Sequence, residues 1–146
     1  GRVVSEPNGH LWVMTPHLAE AARLLGITVD EVQADRFAAV RRLQQKYHAV
    51  VLLKGAGTLI ACPNDELIKV CPYGNPGMAT GGMGDILSGI IGGLLAQGLE
   101  PSLAAELGCC LHSAAADMAV EEQGVRGLAA TDVLAHLRKL LNSEIE

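Results

Sequence analysis

Apolar residues recur along this chain at two spacings, and the change from one to the other divides it into strands and helices. Leu11-Trp12-Val13-Met14 is a short unbroken apolar run that stops at Thr15-Pro16 and predicts a strand. Pro16 suits the first turn of a following helix. Leu18, Ala21, Ala22, Leu24 and Leu25 share one face of that helix, and Gly26 ends it. Thr28-Val29-Asp30-Glu31 has the spacing of a capping box and opens a second helix running to about Tyr47. Val32, Phe37, Val40, Leu43 and Tyr47 form its core side. Ala49-Val50-Val51-Leu52-Leu53 is apolar at every position, as in a parallel strand buried on both faces. A glycine-rich turn, Lys54-Gly55-Ala56-Gly57-Thr58, follows. Residues 58–62 and 67–71 predict a hairpin around Pro63-Asn64-Asp65. After a loop over residues 72–82, three helices are expected: Asp85 to about Gln97, Pro101 to about Glu122, and a last one capped by Thr131 and ending near Leu141. Strand, helix, strand, hairpin and helices together indicate an α/β fold with a central sheet.

Composition narrows the function classes. The chain has 146 residues, a length that suits one domain, and a net charge of −5. Its longest basic run is Arg41-Arg42, and Trp12, Phe37, Tyr47 and Tyr73 are scattered, so nucleic-acid binding is not expected. The apolar stretch over residues 86–96 is interrupted by Ser88, Gly89, Gly92 and Gly93. It falls short of the roughly 18 residues of a membrane span, so no membrane association is expected. Residues 1–6 lack the apolar core of a signal peptide. Gly1 in place of an initiator Met points to processing or cleavage. Cys62, Cys71, Cys109 and Cys110 contain no CxxC and read as buried thiols of a cytosolic protein. Cys109 and His112 have metal-ligand spacing but no second pair, so no metal site is expected. A mean hydropathy of +0.27 with only 18% charged residues is high for a small free-standing domain. It suggests a large buried interface or a chain that is part of a bigger fold.

The chemistry is concentrated in Gly74-Asn75-Pro76-Gly77-Met78-Ala79-Thr80-Gly81-Gly82-Met83-Gly84-Asp85, which leads directly into a helix. Glycines let backbone N–H groups crowd toward one point. At a helix N-terminus those groups favour an anion such as phosphate. Gly81, Gly82, Met83 and Gly84 are therefore a candidate anion hole, and Asp85 beside it is a candidate general base for a substrate hydroxyl. The plainer reading is a flexible loop followed by a helix-start acid. Asn75 fits a turn former as well as a ligand contact, and Lys54 fits a surface lysine at a strand end.

The segment GNPGMATGGMGDILSG resembles the signature of the ADP-dependent NAD(P)H-hydrate dehydratases, members of the ribokinase-like superfamily. Two further segments agree in order and spacing. Thr15-Pro16-His17-Leu18-Ala19-Glu20 is similar to the family's TPHxxE element, and Lys54-Gly55-Ala56-Gly57-Thr58 to its KGxxT element. The resemblance implies a ribokinase-like three-layer αβα sandwich. Residues 1–146 would supply its carboxyl-terminal part, because family domains are considerably longer than this chain. It implies that ADP phosphorylates the hydroxyl of hydrated NADH or NADPH and that elimination regenerates the cofactor, with AMP and phosphate released. By the same resemblance Asp85 is the catalytic base and meets the substrate, and His17 contacts the hydrated cofactor. Lys54, Gly55, Ala56, Gly57, Thr58 and Gly84 hold the nucleotide, which Mg²⁺ accompanies. A cytoplasmic homo-oligomer is implied, with an epimerase domain upstream in the parent chain. An ATP-dependent small-molecule kinase of the same superfamily would use the same glycine-rich segment, and an assembly module would account for the apolar helices.

Overall fold

The computed structural model describes residues 10–143. The reading of residues 1–6 therefore lies outside the described part. The chain divides into two compact units: residues up to Gly55 with Leu59–Val70, and Ala56–Thr58 with the chain from Cys71 onward.

The first unit contains strand β1 (Val13–Met14), helices α1 (Leu18–Leu25), α2 (Val29–Ala34) and α3 (Arg36–Tyr47), and strands β2 (Val50–Leu53), β3 (Leu59–Ala61) and β4 (Ile68–Val70). The strands lie in the order β1-β2-β3-β4. β1 runs parallel to β2, with Val13 opposite Val50. The hairpin adds β3 and β4 antiparallel, so the sheet is mixed. All four residues of β2 are buried. Val51, Leu53, Leu59 and Ala61 pack with Ala21, Ala22, Val32, Val40 and Leu43 in one core. Val50, Leu52 and Ile60, which point to the other face, are buried as well.

Local chemistry sets the helix ends. Gly26 closes α1 in the left-handed conformation at φ 69°. Thr28 and Glu31 form the expected capping box, with the Glu31 carboxylate accepting the Thr28 N–H at 2.8 Å. Three expectations fail here. The second helix is broken at Asp35, whose φ of −147° leaves the helix and whose carboxylate accepts the Ala38 N–H at 2.9 Å. An Asp side chain can satisfy a first-turn donor and so start a new helix inside an unbroken apolar pattern. The turn of direction takes Phe37 out of the core, and it is 52% exposed. Pro16 precedes the N-cap, His17, instead of lying in the first turn.

The second unit contains a 3-10 turn (Pro76–Ala79) and helices α4 (Met83–Ala96), α5 (Pro101–Gln123) and α6 (Ala130–Leu141). Met83, Ala115, Ala116, Ala119, Leu128 and Val133 form its core. α4 and α5 approach closely at Gly108, where a Cβ would lie 2.7 Å from Ile91 Cγ1. α4 begins two residues before Asp85, because Gly82 at φ 90° serves as its N-cap. Thr131 lies inside α6; the cap is Ala129, and the Asp132 carboxylate accepts its N–H at 2.8 Å. α5 also departs from the expectation of no membrane-length segment. Its 23 residues are long and apolar enough by length and composition to cross a membrane. Small Ala and Cys residues raise its average hydropathy without making a long Leu/Ile run. Half of that apolar window is buried, and the helix carries the core residues Ala115, Ala116 and Ala119. All four cysteines are free. Cys71 is drawn down to about 6 by its hydrogen bond with Cys109, against the upward push of burial.

Candidate active site

The first unit brings the TPHxxE element together with Lys54 and Gly55, the start of the KGxxT element. His17 caps α1: its Nδ1 accepts the Glu20 N–H at 3.2 Å, and Glu20 Oε2 accepts the His17 N–H at 2.9 Å. The ring's Nε2 lies 3.5 Å from Glu20 Oε1. The imidazole stays 54% exposed, so one edge is spent on the cap and the ring remains open to a ligand. Burial pushes the Glu20 carboxyl up, but the His17 backbone bond and the nearby His17 and Lys54 charges outweigh it and hold the group below its usual value. The Lys54 N–H donates to the Pro16 carbonyl at 2.9 Å, tying the end of β2 to the start of α1.

Arg36 joins this corner and was not anticipated from the sequence. Its Nη2 donates to the Leu53 carbonyl at 3.5 Å. A Cβ on Gly55 would lie 2.9 Å from the same nitrogen, so glycine there gives the guanidinium its room. Its signal in the sequence is the Asp35-Arg36 pair, which the unbroken apolar spacing conceals.

The second unit holds Ala56, Gly57 and Thr58 and the whole glycine-rich segment. The Thr58 carbonyl accepts the Cys71 N–H at 2.9 Å. Gly74, at φ 116°, adopts a backbone conformation suited to glycine. Asn75 caps the 3-10 turn, its Oδ1 accepting the Gly77 N–H at 3.0 Å. Thr80 Oγ1 donates to the Gly77 carbonyl at 2.8 Å, and the Met83 N–H reaches the Thr80 carbonyl at 3.4 Å. The segment is thus a hydrogen-bonded loop that ends in the first turn of α4.

Within the candidate anion hole the four residues are not equivalent. Gly81 and Gly82 are exposed and Gly84 is half-buried, whereas the Met83 side chain is a core group. Among the described residues no acceptor takes the N–H of Gly81, Gly82, Gly84 or Asp85. These donors are free for an anion, while Met83 contributes only by releasing its long bond to Thr80. Asp85 is the third residue of α4 and exposed, next in sequence to the free donors. Asp117, also missed from the sequence, holds the beginning of the loop. Its carboxylate accepts the Gly74 N–H at 2.9 Å and an Asn75 Nδ2 proton at 2.7 Å. An acid between Ala116 and Met118 was the available signal. Among the described residues no group of three His, Cys, Asp or Glu side chains is placed to hold a metal ion.

A family model described as NAD(P)H-hydrate dehydratase matches residues 3–139. The chain is 61% identical over 131 residues to the bifunctional NAD(P)H-hydrate repair enzyme Nnr of Coxiella burnetii, covering 90% of this chain and 27% of that protein. It is 53% identical over 131 residues to the ADP-dependent (S)-NAD(P)H-hydrate dehydratase of Neisseria meningitidis, covering 89% of this chain and 44% of that one. The crystal structure of an ADP/ATP-dependent NAD(P)H-hydrate dehydratase from Bacillus subtilis, co-crystallised with ATP and Mg²⁺, superimposes with a TM-score of 0.85 at 29% identity. It covers 95% of this chain and 51% of that chain. A ribokinase-like superfamily protein from Enterococcus faecalis matches with a TM-score of 0.71 at 32% identity, covering 88% of this chain and 43% of that one. The fold is therefore ribokinase-like α/β.

Proposed function

This chain belongs to the NAD(P)H-hydrate dehydratase family, and we propose that its parent protein uses ADP to dehydrate the (6S) hydrate of NADH or NADPH. The observation that carries the reading is the ordered glycine loop ending in free N–H groups at the start of α4, with Asp85 beside them.

Hydroxide is a poor leaving group, so direct loss of water from the hydrate is slow. Asp85 accepts the proton of the hydrate's hydroxyl as its oxygen attacks the terminal phosphorus of ADP, and AMP departs. The N–H groups of Gly81, Gly82 and Gly84 stabilise the charge on the phosphoryl oxygens, with the α4 dipole adding to them. The phosphate ester then leaves as inorganic phosphate while a proton is lost from the neighbouring ring carbon, and the ring double bond returns. Lys54, Gly55, Ala56, Gly57, Thr58 and Gly84 take the nucleotide, and His17 takes the hydrated cofactor. The relative co-crystallised with ATP and Mg²⁺ supports nucleotide use. Among the described residues no cluster of side chains offers Mg²⁺ a protein cage, so an ion arriving on the nucleotide would keep phosphate and water oxygens as ligands.

The chain spans 27% of the length of its bifunctional Coxiella relative. That supports a longer parent, and we place an epimerase domain upstream in it. We further propose that the parent is a cytoplasmic homo-oligomer.

The test is product analysis on the full-length parent. Hydrated NADH and ADP should yield NADH, AMP and phosphate in equal amounts. Asp85→Ala should lower turnover by about 10²–10⁴-fold, the usual worth of a positioned base, while the fold is kept. Preference for ATP with a stable phosphorylated product would replace this reading with that of a small-molecule kinase.

A further inference from the structure

Asp117 lies well along α5, forty-two residues beyond Asn75 in sequence, and is half-buried. Its two oxygens do different work. Oδ2 accepts the Gly74 N–H at 2.9 Å, and Oδ1 accepts an Asn75 Nδ2 proton at 2.7 Å. That second bond fixes which way the Asn75 amide points, because its Oδ1 must then face the Gly77 N–H, 3.0 Å away. From Gly77 the order continues through Thr80 Oγ1, at 2.8 Å from the Gly77 carbonyl, to the Met83 N–H at the first residue of α4.

We infer that Asp117 is a positioning residue: by orienting Asn75 it sets the course of the loop that delivers Gly81–Asp85, without itself touching substrate. The activity readout of this inference rests on the dehydratase reading; the structural readout does not.

The atom pattern supplies its own test. In Asp117→Asn one NH₂ group must face either the Gly74 N–H or the Asn75 NH₂, and flipping Asn75 only moves the conflict to the Gly77 N–H. Asn75→Asp sets two carboxylates face to face. The double variant N75D/D117N repairs both faults. Asn at 117 accepts from Gly74 and donates to Asp at 75, whose other oxygen accepts from Gly77, and the net charge is unchanged.

Full-length wild type, both single variants and the double variant are compared. Each single variant should lose at least about tenfold in kcat, as expected for a half-buried donor facing a donor or two paired like charges, with the KM for ADP little changed. The double variant should return kcat to within about twofold of wild type. Hydrogen exchange over residues 74–85 should quicken in the single variants and return to the wild-type rate in the double variant. Wild-type kcat in D117N, or a double variant no better than its parents in both kcat and exchange, would overturn the inference. An inactive wild type would sink the dehydratase reading instead, and the exchange data would still decide the role of Asp117.

Discussion

Gly82→Ala is the sharpest perturbation of the anion cradle, because the structure makes it costly for two separate reasons. Gly82 caps α4 at φ 90°, ψ −17°, where an L side chain crowds its own carbonyl at a cost of about 1–2 kcal/mol. The added Cβ would also stand 3.2 Å from Ala130 Cβ, tighter than an ordinary contact, with no flexible side chain to give way. The backbone can relieve either strain only by rotating, and rotation moves the Gly84 and Asp85 N–H groups and the Asp85 carboxylate with it. The expected stability loss is about 1–2 kcal/mol, or a fall in Tm of roughly 3–6 °C for a chain of this size. Gly81→Ala is the internal control: its φ is not positive and a Cβ there meets nothing within 4 Å. It should change stability by less than about 0.5 kcal/mol. Urea unfolding and steady-state turnover of both variants decide the matter. Equal stability and equal kcat for Gly81→Ala and Gly82→Ala would refute the argument that the backbone at Gly82 sets the cradle.

Other consequences follow from the same geometry. Gly108→Ala gains about 1 kcal/mol in helix propensity but places a Cβ 2.7 Å from the buried Ile91, where overpacking costs about 1–3 kcal/mol; urea unfolding should show a net loss. Gly92→Ala, with nothing within 4 Å, should show a gain in the same assay. Glu20 is held below its usual carboxyl value when folded, so its contribution to stability is complete above the unfolded value and fades as pH falls through the folded one. Glu20→Gln should therefore flatten the acid side of the stability profile below about pH 4.5 in thermal melts. Lys54→Met should raise the KM for ADP more than it lowers kcat, measured with the hydrate saturating.

What could be read from the sequence was local. The Thr28-Glu31 box, the Gly26 stop and the hairpin at Asn64 each state their geometry within four residues, and the apolar run at Val50–Leu53 announces its own burial. The break at Asp35 was hidden because Asp35-Arg36 interrupts neither the apolar spacing nor the chain with Gly or Pro. The start of α4 was hidden for the opposite reason. Gly82 and Gly84 look like loop, and only the left-handed cap at Gly82 makes them the helix entrance. The three motifs carry the candidate site residues, but the groups that support them are long-range. Arg36 beside Gly55 and Asp117 beneath Asn75 belong to helices distant in sequence, and no local pattern pairs an acid on α5 with an amide in a glycine loop.

Oxygen isotope transfer tests the central claim of phosphorylation followed by elimination. The hydrate of NADH carrying oxygen-18 in its hydroxyl is turned over by the full-length protein with ADP, and the released phosphate is examined by mass spectrometry. The account predicts one labelled oxygen in every phosphate formed, with AMP produced in step. Label appearing in water, with unlabelled phosphate or none, would contradict it.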